Sequence, residues 1–266
     1  MKRFLNEFKF FLERLLLRGA QYQLLILGWN HKIPSLIREF DSYENESFDI
    51  NILSLVPIDR REEYMSRYDL NLRTVNLQHL QGDYTAPSDL RRIHPEEYDN
   101  ILFVGNDWLD SNEESDARAI MGSLILKDIL SNSAKKPEVI MELMDPENER
   151  LFSWRTGEVI ISPLILSHIL AHVALRRELN TVFEELFTVG GAEIYFRNPA
   201  GYGLEGYEMS FREFQNRVAQ YGEIVLGVRM EAKSEEKNGG IILNPSPDSR
   251  WNLEDLNNLV VLTTYS

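Results

Sequence analysis

The chain has 266 residues, 43% hydrophobic and 26% charged, a composition that can build one large domain or two lobes with separate cores. Its 28 basic and 42 acidic side chains leave a net charge of −14, which argues against a general nucleic-acid binder, because neutralising phosphates takes a basic footprint. The absence of cysteine excludes disulfides, cysteine-ligated zinc or iron–sulfur centres and a cysteine nucleophile, and an unstapled chain of this size fits a reducing compartment.

In chain order, residues 1–19 come first. Phe4, Phe8, Phe11 and Leu15 recur at helical spacing, and Lys2, Arg3, Lys9, Arg14 and Arg18 outnumber Glu7 and Glu13. Lys9, Glu13 and Arg14 interrupt any apolar core, so this is an amphipathic helix or linker rather than a signal peptide. It either docks on its own domain or lies near a membrane or a partner helix. The apolar run Gln23–Leu27, ending at Gly28, predicts a buried strand, and Ile33–Phe40 a helix. Further strands are predicted at Phe48–Leu55 and Leu72–Leu77, then a turn at Gly82–Asp83 and a short helix at Asp89–His94. Asn100–Gly105 is a fourth strand, followed by an acidic loop and a helix from Glu113 to Leu130. Val139–Leu143 and Glu158–Ile161 are two more strands, and Pro163 opens an apolar helix running to about Arg177. No run of roughly 18 uncharged apolar residues occurs, so no transmembrane helix is predicted.

Strands alternating with helices predict a parallel sheet covered on both faces, an α/β Rossmann-like lobe over residues 20–188. The pattern then changes. A helix at Asn180–Phe187 is followed by a strand at Glu193–Phe196 and a Gly/Pro-rich loop over Asn198–Gly206. Next come a helix at Phe211–Tyr221, paired strands Glu223–Arg229 and Ile241–Leu243 joined through Asn238–Gly240, and a last strand Leu259–Leu262. Residues 189–266 thus read as a smaller α+β C-terminal lobe, with the boundary near Thr188–Gly191. Glu231–Lys237 reads as a solvated loop.

Gly28, Trp29 and Asn30 occupy the turn where a dinucleotide fold carries its glycine fingerprint. The first glycine is present, but Asn30 and Ile33 replace the second and third, and Ser54–Leu55 replace the acidic ribose ligand. The fold signal survives while the signal for NAD fails. Asp83, after the third strand, caps a turn or faces the same crevice. The loop after the fourth strand carries Asn106, Asp107, Asp110, Asn112, Glu113, Glu114 and Asp116, and the fifth strand ends with Glu142 and Asp145. Carboxylates from two adjacent strand ends suit a hard cation such as Ca²⁺. Glu113, Glu114 and Asp116 also fit a helix start, whereas Glu142 is an expensive lone carboxylate in an apolar strand. Asp107, Asp110, Glu142 and Asp145 are therefore the candidate metal ligands, and Gly28, Trp29, Asn30 and Asp83 the candidate cofactor contacts. His168 and His172 share a helical face, but Ile169 stands where a zinc protease needs glutamate, so they read as a core or interface pair. The apolar helix holding them suggests a subunit interface. No nucleophile elbow or phosphate-binding loop occurs. A degraded cofactor turn beside an acidic crevice points to a sensor rather than an enzyme.

Several motifs in order resemble one family. Leu25-Ile-Leu-Gly-Trp-Asn30, Gln81-Gly-Asp83, Asp116-Ala-Arg-Ala, Glu142-Leu-Met-Asp145, Val159-Ile-Ile-Ser162, Gly191-Ala-Glu-Ile194 and Asn244-Pro245 with Trp251 resemble the RCK (regulator of K⁺ conductance) domains of the CASTOR/POLLUX ion channels. The likeness is nearest to the second such domain of that family. It implies a cytosolic, membrane-associated gating ring beneath a cation channel, helices that pair subunits into a homo-oligomer, a channel pore domain as partner, and sensing of Ca²⁺ or another ligand. Where other calcium-sensing domains of this kind carry Glu-x-Glu on the fifth strand, this chain has Glu142-Leu-Met144, so one carboxylate is missing. Two other readings stay open: a nicotinamide-dependent oxidoreductase with an unusual glycine turn, and an oligomerising scaffold that binds no ligand.

Overall fold

The computed structural model describes residues 20–152, 157–204, 208–230 and 239–264. The expected N-terminal helix over 1–19 and the expected loop Glu231–Lys237 lie outside the described residues. The chain divides at Leu179, one helix before the boundary expected near residue 188, and each unit has its own core.

In the first unit, six parallel strands stand in the order β3-β2-β1-β4-β5-β6: β1 (Ala20–Leu27), β2 (Glu46–Ser54), β3 (Val75–Gln81), β4 (Asn100–Phe103), β5 (Glu138–Leu143) and β6 (Gly157–Ile161). The helices are α1 (Ile33–Asp41), α2 (Ile58–Ser66), α3 (Pro87–Arg92), α4 (Asn112–Ile129) and α5 (Ser162–Leu175). Strand β1 explains why both faces are covered. Leu25 and Leu27 enter one core with Phe103, Ala119 and Leu126, whereas Leu24 and Ile26 enter the other with Ile33, Ile37 and Ile50. Side chains alternate across a strand, so an apolar run without polar interruption needs a helix layer on each side. The order reverses between β1 and β4, and there the carboxyl ends of the strands open a crevice.

Two expectations are corrected. The third strand begins at Val75 rather than Leu72, because the Asp41 carboxylate accepts from the backbone N–H groups of Arg73, Thr74 and Val75 at 2.7–3.2 Å and holds that stretch as a turn before the strand. Leu72 instead packs from that turn onto the α1 side of the core. Helix α2 was not expected. Its sequence, Ile-Asp-Arg-Arg-Glu-Glu-Tyr-Met-Ser, shows almost no apolar periodicity, and the residues it buries are Arg61 and Met65.

The second unit begins with α6 (Leu179–Phe187). An antiparallel sheet follows in the order β10-β9-β12-β7, built from β7 (Ala192–Arg197), β9 (Ile224–Met230), β10 (Ile241–Leu243) and β12 (Leu256–Thr264). Helix α7 (Phe211–Val218) buries Phe211, Phe214 and Val218 against Val225, Val228, Leu259 and Val261 on one face of that sheet. Ser210 and Glu213 form a reciprocal capping box at its start. A two-stranded ribbon, β8 (Glu208–Ser210) with β11 (Arg250–Asn252), was not expected, since three-residue strands carry no readable alternation.

Candidate functional site

The mouth of the crevice is built on Gly28. Its φ is +114°, and a Cβ there would lie 2.7 Å from the Val104 carbonyl oxygen, so conformation and space both demand glycine. The turn throws the next residues across to the loop after β4. Trp29 is buried, donates its backbone N–H to Asn106 Oδ1 at 3.2 Å, and packs edge-on against Tyr64 and His79. It is a core residue. Asn30 is also buried. Its Nδ2 donates to the Gly105 carbonyl at 2.7 Å and its Oδ1 accepts from the Lys32 N–H at 3.0 Å. Where a dinucleotide fingerprint keeps a glycine for close approach of a pyrophosphate, this amide ties the two loops together.

Glu142, near the end of β5, receives three donors: Lys32 Nζ, the Ser162 hydroxyl and, at 2.9 Å, the Gly105 N–H. Burial pushes its carboxyl up, but the bonds from Lys32, Ser162 and Gly105 outweigh that and hold it below the usual carboxylate range. Asp107 accepts from the His31 N–H at 2.7 Å and meets His31 Nδ1 at 2.6 Å, on an exposed rim. Beside them lies a cavity of about 70 Å³ lined by Asn30, His31, Lys32, Gly105, Asn106, Asp107, Asn112, Ser115 and Met144. That is room for an ion with a water or two, far below the few hundred Å³ of a nucleotide site.

The other candidates lie apart from this cluster. Asp110 is exposed in the loop. Asp145 is exposed and caps the short turn after β5, accepting from the Glu147 N–H at 2.9 Å. Asp83 accepts from the N–H and hydroxyl of Thr85 and pairs with Arg118 at 2.7 Å. It is a turn cap joined to α4, and its burial is again outweighed by those partners, which lower its pKa. Among the described residues no group of three or more His, Asp or Glu side chains stands ready to hold a metal ion. Asp107 and Glu142 each face a basic side chain instead of one another's cation. His168 and His172 are exposed on α5 rather than buried.

Sequence reasoning missed the groups that complete the mouth. Lys32 and His31 follow the glycine turn directly, and a basic pair one turn from an acidic crevice was the available signal. Asp116, grouped with helix-start charges, is fully buried. It accepts from the N–H groups of Met144 and Asp145 and from Asn148 Nδ2 at 2.9–3.0 Å, bolting α4 to the end of β5. Arg61 is buried, and among the described residues no carboxylate forms a salt bridge with it. It donates to the carbonyls of Ile52 at 3.0 Å and Leu80 at 2.9 Å under the Trp29 ring, and burial lowers its pKa to about 10.

No protein-family model matches the chain. Curated relatives do. The "Ion channel CASTOR" of Lotus japonicus is 26% identical over 91% of this chain and 32% of its own length. The "Probable ion channel POLLUX" of Arabidopsis thaliana is 24% identical over 88% of this chain and 32% of its own. The "Ion channel DMI1" of Medicago truncatula is 25% identical over 88% and 30%. The chain spans about a third of the length of these relatives. Among solved structures, the human SLO3 gating ring shares the fold with a TM-score of 0.61 at 17% identity, covering 90% of this chain and 44% of that one. The likeness to CASTOR and POLLUX channels read from the motifs is borne out over about nine-tenths of the chain.

Proposed function

We propose that this chain, homologous to CASTOR and POLLUX ion channels and folded like a gating-ring domain, is a non-enzymatic regulatory module of a cation channel, working on the cytosolic side of the membrane beside a pore domain. The observation that carries the reading is that homology, which covers both units in order. Among the described residues no helix is long and apolar enough to cross a membrane, so the pore would come from another part of the chain or from a partner.

The site supports a switch in the same sense. Glu142 is bonded at once to Lys32 at the start of α1 and to Ser162, the first residue of α5. Helix α5 buries none of its residues in its own chain, and Leu164, Ile165, Leu166 and Leu170 stand exposed on it. Such a face needs a partner, and a second copy of the same helix gives a closed two-fold contact. A ligand that binds one arrangement of Glu142 more tightly than another shifts the population, and Ser162 carries that shift into the subunit contact. Ca²⁺ is the first ligand to test. The residues present do not form a ready cage for it, because Lys32 and His31 already hold the two nearest carboxylates.

The test is calorimetric titration of the purified chain with Ca²⁺, Mg²⁺ and NAD(H), with light scattering on the same samples. Binding of one of them together with a change in assembly supports the proposal. A chain that binds none of them and stays monomeric at high concentration overturns it.

A further inference from the structure

Parallel strands are normally covered on both faces and read as apolar runs. Strands β1, β2 and β3 break that rule over their amino-terminal halves. On the α3 side of the sheet, Leu25, Leu53 and Leu80 enter the core with Leu90 of α3. That helix has six residues and is about 9 Å long, against about 25 Å for the strands beneath it. The rest of this face is polar. Gln23 stands across from Asp49, and Asp49 across from Asn76, so the three side chains form one row over three strands, with Gln21 two residues along β1. Gln21 and Asn76 are exposed, and Gln23 and Asp49 are half-buried.

The carboxylate in this row is unlike the others. Glu142, Asp83, Asp99 and Asp107 each face a lysine, arginine or histidine, and Asp41 and Asp116 are held by backbone N–H groups. Among the described residues no basic group pairs with Asp49. Its partners are three side-chain carboxamides: Gln21 Nε2 at 2.5 Å and Gln23 Nε2 at 2.7 Å on one oxygen, and Asn76 Nδ2 at 2.9 Å on the other. The bonds from Asn76, Gln21 and Gln23 hold its carboxyl below the usual range, so it stays ionised. A carboxamide turned by 180° about its last bond presents an oxygen where it presented a nitrogen, with the same shape. The three amides would then place oxygens about 3 Å from the carboxylate oxygens, the spacing of neighbouring ligands around an ion bound at 2.3–2.6 Å.

We propose that Asp49, Gln21, Gln23 and Asn76 form a binding site for a hard divalent cation, with Ca²⁺ as its probe, separate from the crevice around Glu142. Asp49 supplies the charge and both its oxygens, the three amides supply neutral oxygens, and water completes a shell of six to eight. One carboxylate sets a weak site, with a dissociation constant on the order of 10⁻⁴–10⁻³ M. Any role of this site in sensing rests on the regulatory reading above, whereas the binding itself does not.

Calorimetric titration with CaCl₂ tests this on the full chain, with the parent compared to Asp49→Asn, Asn76→Asp and Glu142→Gln. Asp49→Asn should weaken Ca²⁺ binding about tenfold or more, since it removes the one charged ligand. Asn76→Asp adds a second carboxylate at an exposed position and should tighten binding about fivefold or more, a gain that a misfolded chain cannot give. No binding by the parent up to about 10 mM Ca²⁺, well above the expected constant, overturns the proposal. So does an affinity that neither Asp49→Asn nor Asn76→Asp changes. Binding lost in Glu142→Gln and kept in Asp49→Asn overturns it too, and leaves the regulatory reading standing with the ion in the crevice. A chain with no affinity for Ca²⁺ whose assembly responds to Mg²⁺ or NAD(H) sinks this site and not that reading.

Discussion

Ser162, the first residue of α5, donates its hydroxyl to the Glu142 carboxylate near the end of the neighbouring strand β5. The carboxylate near the end of β5 is thereby tied to a helix that buries none of its residues in its own chain. Lys32 holds the same carboxylate from the other side of the topological switch point.

Replacing Glu142 tests that arrangement through pH. The folded pKa of Glu142 lies below its ordinary value, so its contribution is present above the unfolded carboxylate value and is lost as pH falls through the folded one. Glu142→Gln leaves Lys32 without its partner, and should lower stability near neutral pH by about 1–3 kcal/mol. In urea unfolding, the gap between parent and variant should shrink as the pH drops below about 4. A gap that stays constant from neutral to acid would show that the ionised carboxylate contributes nothing.

Gly28→Ala should cost about 1–3 kcal/mol, since alanine at φ +114° is strained and its Cβ meets the Val104 carbonyl. Chemical denaturation measures it, and a neutral result would mean the turn relaxes freely.

Arg61 and His79 make a pH-dependent pair. Burial first, and the Arg61 charge second, depress the His79 pKa to about 4. The folded state therefore binds fewer protons than the unfolded state between that value and the ordinary one near 6.5, and this group removes stability as pH falls across the window. Arg61→Leu should raise the His79 pKa in an NMR titration. The carbonyls of Ile52 and Leu80 lose their donor, so the variant should also be less stable by about 1–3 kcal/mol. An unmoved His79 titration would remove the charge from the explanation.

On the proposed assembly, the double substitution L166D/L170D should dissociate the parent oligomer, and at protein concentrations low enough for the parent to be monomeric as well, the two should denature within about 0.5 kcal/mol of each other, because both side chains are exposed in the single chain. Sedimentation velocity reads the first effect. An oligomer that survives both charges places the contact elsewhere.

Much of the fold was legible because it follows from neighbours in the chain. Gln23–Leu27 and Val139–Leu143 are apolar runs flanked by turn residues, and the 18-residue α4 starts with the acids expected of a helix N-terminus. Helix α2 was not legible, since the side chain that anchors it is a buried arginine, which a hydrophobic pattern scores as surface. The site was legible as a place rather than as a set of contacts. A spacing argument counts acids such as Glu142 and Asp107 and could not see that Lys32 and His31 arrive from the β1 turn to meet them.

By itself the amino-acid order determined the alternation of strands and helices, the glycine at position 28 and the change of grammar after α5, because periodicity and turn chemistry are local properties. Which carboxylates are bonded, which are solvated and which basic groups meet them was decided only in three dimensions. Those contacts join residues as far apart as 32 and 142, and no pattern along a chain sets the distance between two side chains that only the sheet order brings together.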